Sequence, residues 1–340
     1  MKNIYWNAIL AICLFIQCTT SDSQFKDLFG QENSVWAESI YLRGYQPTTF
    51  EKLTDDHLKK YAETLKNNGV KYTYLFAGPY DETGHLPSYS FSNTAINSVR
   101  KLKEYYPEIV ILPWVGGVQN KTVYLGDSTW VENALLDTKK LINILNVPGV
   151  HVDFEYILSG DFYLDQTIRK EKPGDRENHG NNVNTFHRKL RALLPKAFIS
   201  SVVVATSPDT KPWKRKTTMD ELKVLTNYVD QLSFLYYDTH IDNQEIFETN
   251  CYSLLKDIQT LKLERNIQYL VAIGTFVNVP ELRKYRNLDI ENIPNSLSTI
   301  KKEAIRVDST MQIIDGIAIY SDWATDKKEW KQFQRHWAKL

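Results

Sequence analysis

The sequence predicts an α/β protein built as a single (β/α)8 barrel, or TIM barrel, and three observations carry this prediction. Short apolar runs rich in β-branched and aromatic residues alternate eight times with longer amphipathic segments. The chain of 340 residues has the length of one such barrel. No glycine-rich phosphate-binding loop follows the first predicted strand, which disfavours a doubly wound open sheet.

The eight predicted strands are short runs bounded by turn signals, and stripes of apolar residues at helical spacing predict helices between them. The strands cover residues 39–43, 72–77, 109–115, 150–156, 198–205, 231–238, 269–274 and 316–320. The helices cover residues 54–67, 94–105, 130–145, 183–194, 219–228, 246–261, 297–307 and 327–338.

Two polar segments fall outside this pattern. Residues 161–182 carry many charges with little periodicity, and we interpret them as a loop or lid over the end of the fourth strand, with His179 in solvent. The basic run 211–216 is interpreted as a solvated loop. Because the formal net charge is zero and there is no basic excess, nucleic acid is not an expected partner.

The amino terminus is typical of an export signal. Lys2 is followed by an apolar run over residues 4–16, too short for a comfortable membrane span, and then by Cys18. This pattern resembles a bacterial lipoprotein signal, in which the cysteine is lipidated; ordinary signal cleavage nearby is the alternative. We expect an exported chain anchored to a bacterial membrane through Cys18 alone. The predicted domains are a signal peptide over 1–18, a polar linker over 19–34 and a barrel over 35–340.

Once this signal is removed, Cys251 is the one cysteine left, so no disulfide is expected within the mature chain. Cys251 lies in a predicted helix, and we interpret it as a structural residue and not as a nucleophile. The mature protein is expected to be a monomer.

The fourth predicted strand carries the clearest chemical signal. Alternate side chains of a strand share a face, so His151, Asp153 and Glu155 point one way, while apolar residues between them point the other. Three ionisable groups on a buried face cost several kcal/mol each in desolvation unless they have partners or a function. This stretch therefore predicts an active site.

The carboxyl ends of other strands carry further polar and aromatic residues, and barrel enzymes place their catalytic groups there. Two carboxylates with tyrosine and flat rings suit glycosidic bond cleavage, because an acid must protonate the leaving oxygen and rings hold a sugar. A glycine pair is expected to let substrate approach the backbone. The candidates are Tyr237 and Asp238 at the sixth strand, Tyr320 and Trp323 at the eighth, and Trp114, Gly116 and Gly117 at the third.

These residues resemble glycoside hydrolase family 18, the chitinases and endo-β-N-acetylglucosaminidases. The family's fourth-strand motif, Asp-Gly-x-Asp-x-Asp-x-Glu, is similar to residues 148–155, PGVHVDFE, which keep the glycine, the last aspartate and the glutamate. The family's Met-x-Tyr-Asp resembles residues 235–238, LYYD. Its Ser-x-Gly-Gly resembles residues 114–117, with Trp114 in the serine position, and Tyr320 stands where the family has a tryptophan under the sugar.

The resemblance implies a retaining, substrate-assisted hydrolase of glycans that contain β-linked N-acetylglucosamine, with no metal or other cofactor. Glu155 would act as general acid and then as base. Asp153 would orient the N-acetyl group whose oxygen attacks the anomeric carbon, Tyr237 would donate a hydrogen bond to it, and Asp238 would contact the sugar or the surroundings of Glu155.

Position 151 is the main departure from the family motif, which has aspartate there. His151 either donates a hydrogen bond to Asp153 and holds it ionised, or is a core histidine with satisfied partners. Three functions stay open: a glycoside hydrolase, a catalytically inactive, lectin-like carbohydrate-binding barrel, and a surface lipoprotein whose barrel serves protein contacts. The retained Glu155 favours the hydrolase, because loss of the acid is the simplest route to a pure binder.

Overall fold

The computed structural model describes residues 30–158, 173–204, 214–275, 279, 285–310 and 312–337. The predicted signal peptide with Cys18, most of the polar linker and the first part of the predicted lid lie outside the described residues. Within the described ranges, no helix combines the length and the apolarity that a membrane crossing requires.

Eight parallel strands close into a barrel in chain order, and β8 pairs with β1. The predicted (β/α)8 fold class is thereby confirmed. The strands are β1 (Asn33–Ala37), β2 (Val70–Pro79), β3 (Val110–Val118), β4 (Gly149–Glu155), β5 (Phe198–Val204), β6 (Gln231–Leu235), β7 (Gln268–Gly274) and β8 (Gly316–Tyr320).

Helices follow the strands around the outside of the barrel, and several begin with a side-chain cap. Thr54 and Asp326 each start a helix by accepting a hydrogen bond from the backbone N–H three residues on, which satisfies one of the free donors of the first turn. The helices are α1 (Ile40–Arg43), α2 (Asp55–Asn67), α3 (Asn93–Tyr105), α4 (Ser128–Leu145), α5 (Asp175–Leu193), α6 (Met219–Leu225), α7 (Gln244–Glu264), α8 (Ile293–Val307) and α9 (Lys327–His336).

The position of the first strand was predicted wrongly. Residues 39–43 were expected to be a strand, but β1 lies at Asn33–Ala37 and Ile40–Arg43 form the short helix α1. Gly44 ends this helix in the left-handed conformation, with φ of +86°. β-propensity describes how well a side chain fits a half-buried pleated surface, and at Leu42 packing within a helical turn satisfies the same apolar demand.

The predicted lid was wrong in its second half. Helix α5 begins at Asp175, and His179 lies buried on its inner face, where its ring contacts the ring of Tyr156 at 5.1 Å between centroids. Burial, helped by the charge of Arg215, lowers the pKa of His179 to about 3. The helical period of residues 175–182 was hidden because their buried positions are His179 and Gly180, with no large apolar side chain.

Two separate apolar clusters build the core. One lies between the strands and the surrounding helices, and the other fills the inside of the barrel. The interior cluster includes Trp36, Tyr72 and Tyr74, with Leu112 and Leu270, so large rings close the barrel beneath the carboxyl ends of the strands. The inside of the barrel is therefore a packed core and not a pore.

Candidate active site

Strand β4 positions the two candidate carboxylates at its carboxyl end. Val150 and Val152 are fully buried in the outer core, whereas Asp153 and Glu155 lie partly exposed toward the barrel mouth, as the two-residue period predicts. Glu155 is the last residue of the strand. Both groups are thus at the end where barrel enzymes carry out their chemistry.

His151 belongs to the barrel interior and not to the substrate surface. Its ring is fully buried and stacks on Tyr74 at 3.7 Å between centroids and 6° between planes. The Trp36 indole Nε1–H donates to His151 Nε2 at 3.0 Å, and the Nδ1 atom lies 2.8 Å from the Ser200 hydroxyl. Because an indole N–H only donates, Nε2 is unprotonated and Nδ1 carries the proton.

The expected role of His151 as a substrate-binding residue is therefore corrected. Both of its ring nitrogens are used within the core, and neither bonds to Asp153. Burial lowers the pKa of His151 well below its usual value, so the ring stays neutral. Of the two possibilities that the sequence leaves open, the core histidine with satisfied partners agrees with this geometry.

Glu155 forms an ion pair with Lys214. The ammonium of Lys214 donates to Glu155 Oε1, and the two side chains are only 12% and 17% exposed. Burial by itself lowers the pKa of Lys214, but the negative charges of Glu155, Asp153 and Asp238 outweigh burial and raise it. Lys214 is thus a protonated cation that lies among the carboxylates of Glu155, Asp153 and Asp238.

Aromatic residues lie near Asp153 at the barrel mouth. The Trp114 indole N–H donates to Asp153 Oδ2 at 3.2 Å. The ring of Tyr237 stacks on that of Tyr320 at 5.1 Å and 10°, and Trp323 meets Tyr320 edge to face at 5.5 Å. The structure therefore brings together the residues that the sequence selected at the ends of the third, fourth, sixth and eighth strands.

Tyr237 and Tyr320 keep their phenolic protons. Burial raises the pKa of both hydroxyls, and the negative charges of Glu155, Asp153 and Asp238 raise them further; for Tyr237 the neighbouring Tyr320 also contributes. A protonated phenol donates hydrogen bonds, so either group can stabilise a negatively polarised oxygen.

Asp238 is held by Arg286. The guanidinium Nε donates to Asp238 Oδ1 at 2.9 Å, a terminal nitrogen of the same group donates to the same oxygen, and the Arg286 side chain is almost completely buried. Asp238 also adopts a left-handed backbone conformation, with φ of +51°. This arrangement fixes the carboxylate next to Tyr237.

The glycine pair at the end of β3 serves strand packing. Gly116 has φ of +150°, and a Cβ atom there would lie 1.9 Å from the carbonyl oxygen of Asp153. A Cβ atom at Gly117 would meet the Thr122 hydroxyl at 2.5 Å. The expectation that the missing side chains admit substrate is wrong, because protein atoms occupy that space. Gly116 lets β3 approach β4 closely, and Gly117 leaves room for the Thr122 side chain.

A cavity of about 260 Å³ opens beside these rings at the barrel mouth. A larger cavity of about 450 Å³ lies behind it, against α1, α2 and α9, and shares Glu38 and Trp323 with it. The smaller cavity is lined by Glu38, Ser39, Gln46, Pro47, Phe76, Trp114, Tyr320 and Trp323.

Sequence reasoning missed Lys214, Arg286 and Glu38. Lys214 lies in the basic run 211–216, which we interpret from the sequence as a solvated loop. In the structure Lys214 and Arg215 are largely buried, and each forms an ion pair with a glutamate. Glu38 comes directly after β1 and was hidden by the misplaced first strand. No pattern marks Arg286. Within the described ranges, no group of three His, Cys, Asp or Glu side chains is arranged to hold a metal ion.

Known structures share this architecture, although no family model matches the sequence and no curated protein is similar to it in sequence. The spore cortex-lytic enzyme SleL of Bacillus cereus superposes with a TM-score of 0.57 at 12% identity, over 91% of this chain and 75% of that one. A chitinase of Chromobacterium violaceum gives 0.54 at 13% identity, over 91% and 99%. The Group IV chitinase of Ostrinia furnacalis, solved with allosamidin, gives 0.57 at 12%, over 89% and 98%.

The chain has the fold of these chitinases. The match spans nearly the whole length of both chitinases, so it covers one complete barrel and not a shared fragment. The resemblance to glycoside hydrolase family 18 is confirmed at the level of the fold, and identities of 12–13% carry it no further.

Proposed function

We propose that the protein is a chitinase-like glycoside hydrolase that cleaves glycans containing β-linked N-acetylglucosamine. The observation that carries the proposal is the placement of Glu155 and Asp153 at the end of β4, in a barrel with the chitinase fold. The aromatic rings of Trp114, Tyr237 and Tyr320 lie beside them. Function resides in the site and not in the fold, so these side chains and not the superposition decide the chemistry.

Glu155 is assigned the proton transfers. In the first step it gives its proton to the glycosidic oxygen as that bond breaks, while the carbonyl oxygen of the substrate's own N-acetyl group attacks the anomeric carbon. In the second step Glu155 takes a proton from water, and the resulting attack opens the cyclic intermediate. Two displacements at the same carbon retain the anomeric configuration.

Asp153 and Tyr237 are assigned to the N-acetyl group. The attacking amide gains positive charge on nitrogen, which an ionised Asp153 stabilises, and Trp114 holds that carboxylate through its indole N–H. A protonated Tyr237 donates a hydrogen bond to the amide oxygen and keeps it under the anomeric carbon. Tyr320 and Trp323 offer flat surfaces for the sugar ring.

Replacement of Glu155 tests the assignment. We expect Glu155→Gln to lower hydrolysis of aryl N-acetylglucosamine oligosaccharides by about 10²–10⁴-fold, because the amide cannot donate the proton, and to leave glycan affinity measurable by calorimetry. Glu303→Gln is the matched control, since Glu303 is a buried glutamate that pairs with Arg306 near the carboxyl end of α8. Proton NMR of the first product is expected to show the β-anomer.

Two results would contradict this proposal. Wild-type turnover in the Glu155→Gln variant would remove Glu155 from the mechanism. Glycan binding without hydrolysis by the wild-type protein would support a lectin-like binding barrel in place of the enzyme.

A further inference from the structure

We propose that Lys214 is a positioning residue of this hydrolase: its ammonium holds the Glu155 carboxylate in place and sets the pH range of activity. The inference rests on the proposed function and extends it to a residue that lies outside the sequence motifs. It begins from the charge at the barrel mouth and from the failure of His151 to supply a partner there.

Charged and titratable groups from several elements lie around Glu155. Among the described residues, Asp153 on its own strand and Asp238 after β6 are the neighbouring carboxylates, and Lys214 and Arg286 are the cations. The phenols of Tyr237 and Tyr320 also face this cluster. Glu291 adds a buried carboxylate next to Asp238 and Arg286, and burial raises its pKa to about 7.

Arg286 cannot serve Glu155, because its guanidinium is committed to Asp238. His151 cannot serve it either, since it is neutral and bonded to Trp36 and Ser200. Among the described residues, Lys214 is therefore the cation that directly contacts the Glu155 carboxylate. A partly desolvated ion pair of this kind is strongly coupled, because water screens it poorly.

The backbone fixes Lys214 in position. Residues Ile157 and Lys214 form an antiparallel bridge, and the N–H of Arg215 donates to the carbonyl oxygen of Tyr156 at 2.8 Å. The Arg215 guanidinium donates two hydrogen bonds to the Glu221 carboxylate, of 3.1 and 2.6 Å. The segment that carries Lys214 is thus attached to the strand that carries Glu155, and the ammonium is preorganised.

This placement has a consequence for each proton transfer. When Glu155 gives up its proton to the glycosidic oxygen, the carboxylate that forms already faces an ammonium, which favours the first step. The same contact makes Glu155 a weaker base toward water in the second step. Lys214 touches Glu155 and not the reacting atoms, so it acts through the carboxylate.

The test compares pH profiles of kcat/KM for wild type and Lys214→Met. We expect the alkaline limb of the profile to move to higher pH in the variant, by about one pH unit or more, because an opposite charge at this distance stabilises the ionised carboxylate by that amount. Lys214→Arg keeps the charge and is expected to restore the wild-type limb. A purely structural lysine would change activity without moving the limb.

Lys262→Met is the matched control. Lys262 pairs with Asp315, and the two side chains are 13% and 15% exposed, but this pair lies next to the amino end of β8, away from the barrel mouth. The control is expected to lose stability and to keep the wild-type pH profile. A Lys214→Met profile that superposes on the wild-type profile would overturn the proposal.

A double-mutant cycle tests the ion pair without any turnover. The losses in Tm of Lys214→Met and Glu155→Gln are expected not to add in the double variant, because each change already breaks the same contact. Additive losses would overturn the pairing. If the cycle shows coupling but the wild-type protein hydrolyses no glycan, the proposed function is wrong, and so is the catalytic role of Lys214. The ion pair between Lys214 and Glu155 is then still supported.

Discussion

Replacement of His151 provides the sharpest check on how the barrel interior supports the site. The ring fills a slot between Trp36 and Tyr74 and satisfies two buried polar groups, the Trp36 N–H and the Ser200 hydroxyl. Ser200 keeps its hydrogen bond to Gln231 at 2.7 Å when the ring is removed, whereas Trp36 loses its acceptor.

His151→Ala is expected to lower the free energy of unfolding by about 3–5 kcal/mol. An orphaned buried donor costs about 1–3 kcal/mol, and the cavity left by the ring adds a similar amount. Urea unfolding followed by far-UV circular dichroism measures this loss. A loss below about 1 kcal/mol would refute the network.

The pH dependence of stability isolates the charge of His151. Its pKa in the folded state is lowered, so below about pH 6.5 the unfolded chain binds a proton that the folded chain does not. The contribution of the neutral His151 ring to the free energy of unfolding is therefore fully present above pH 6.5. It is lost as the pH falls below that value, at about 1.4 kcal/mol per pH unit for this one group.

His151→Gln removes this dependence and is expected to reduce the slope of unfolding free energy against pH by that amount as the pH falls below about 6. His187→Gln is the comparison of the same sign, since burial lowers the pKa of His187 to about 4. An unchanged slope in His151→Gln would mean that the ring takes up a proton in the folded state, against the geometry. The pH profile of activity is expected to stay as in wild type, because both ring nitrogens of His151 bond to Trp36 and Ser200 and not to Asp153.

Two further predictions follow from packing. Gly116→Ala is expected to destabilise the protein by several kcal/mol, measured by thermal unfolding, because the new Cβ atom would collide with the Asp153 backbone. The control is Gly126→Ala, since Gly126 is exposed and a Cβ atom there would have no neighbour nearer than 3.8 Å. Equal Tm values for the two variants would contradict the prediction. The Cys251 thiol is fully buried and its pKa is raised well above its usual value, so a thiol reagent followed by mass spectrometry is expected to label it only after denaturation, and fast labelling of the native protein would contradict its burial.

Much of the site could be predicted because a strand's geometry is local. The two-residue period of β4 determines that Asp153 and Glu155 share a face, and barrel topology then brings Trp114, Tyr237 and Tyr320 to the same end. Neither inference needs to know which atoms lie opposite, so both agree with the structure.

The sequence by itself determined the number and order of the barrel strands and the face on which the carboxylates lie, because hydrophobic periodicity and turn chemistry are properties of short stretches. Only the tertiary structure decided what each side chain meets. In the tertiary structure His151 points into the core, and β4 occupies the space beside Gly116. Lys214 contacts Glu155, although the two residues are 59 positions apart in the sequence. The partners of a buried polar group come from distant parts of the chain, and no local pattern records them.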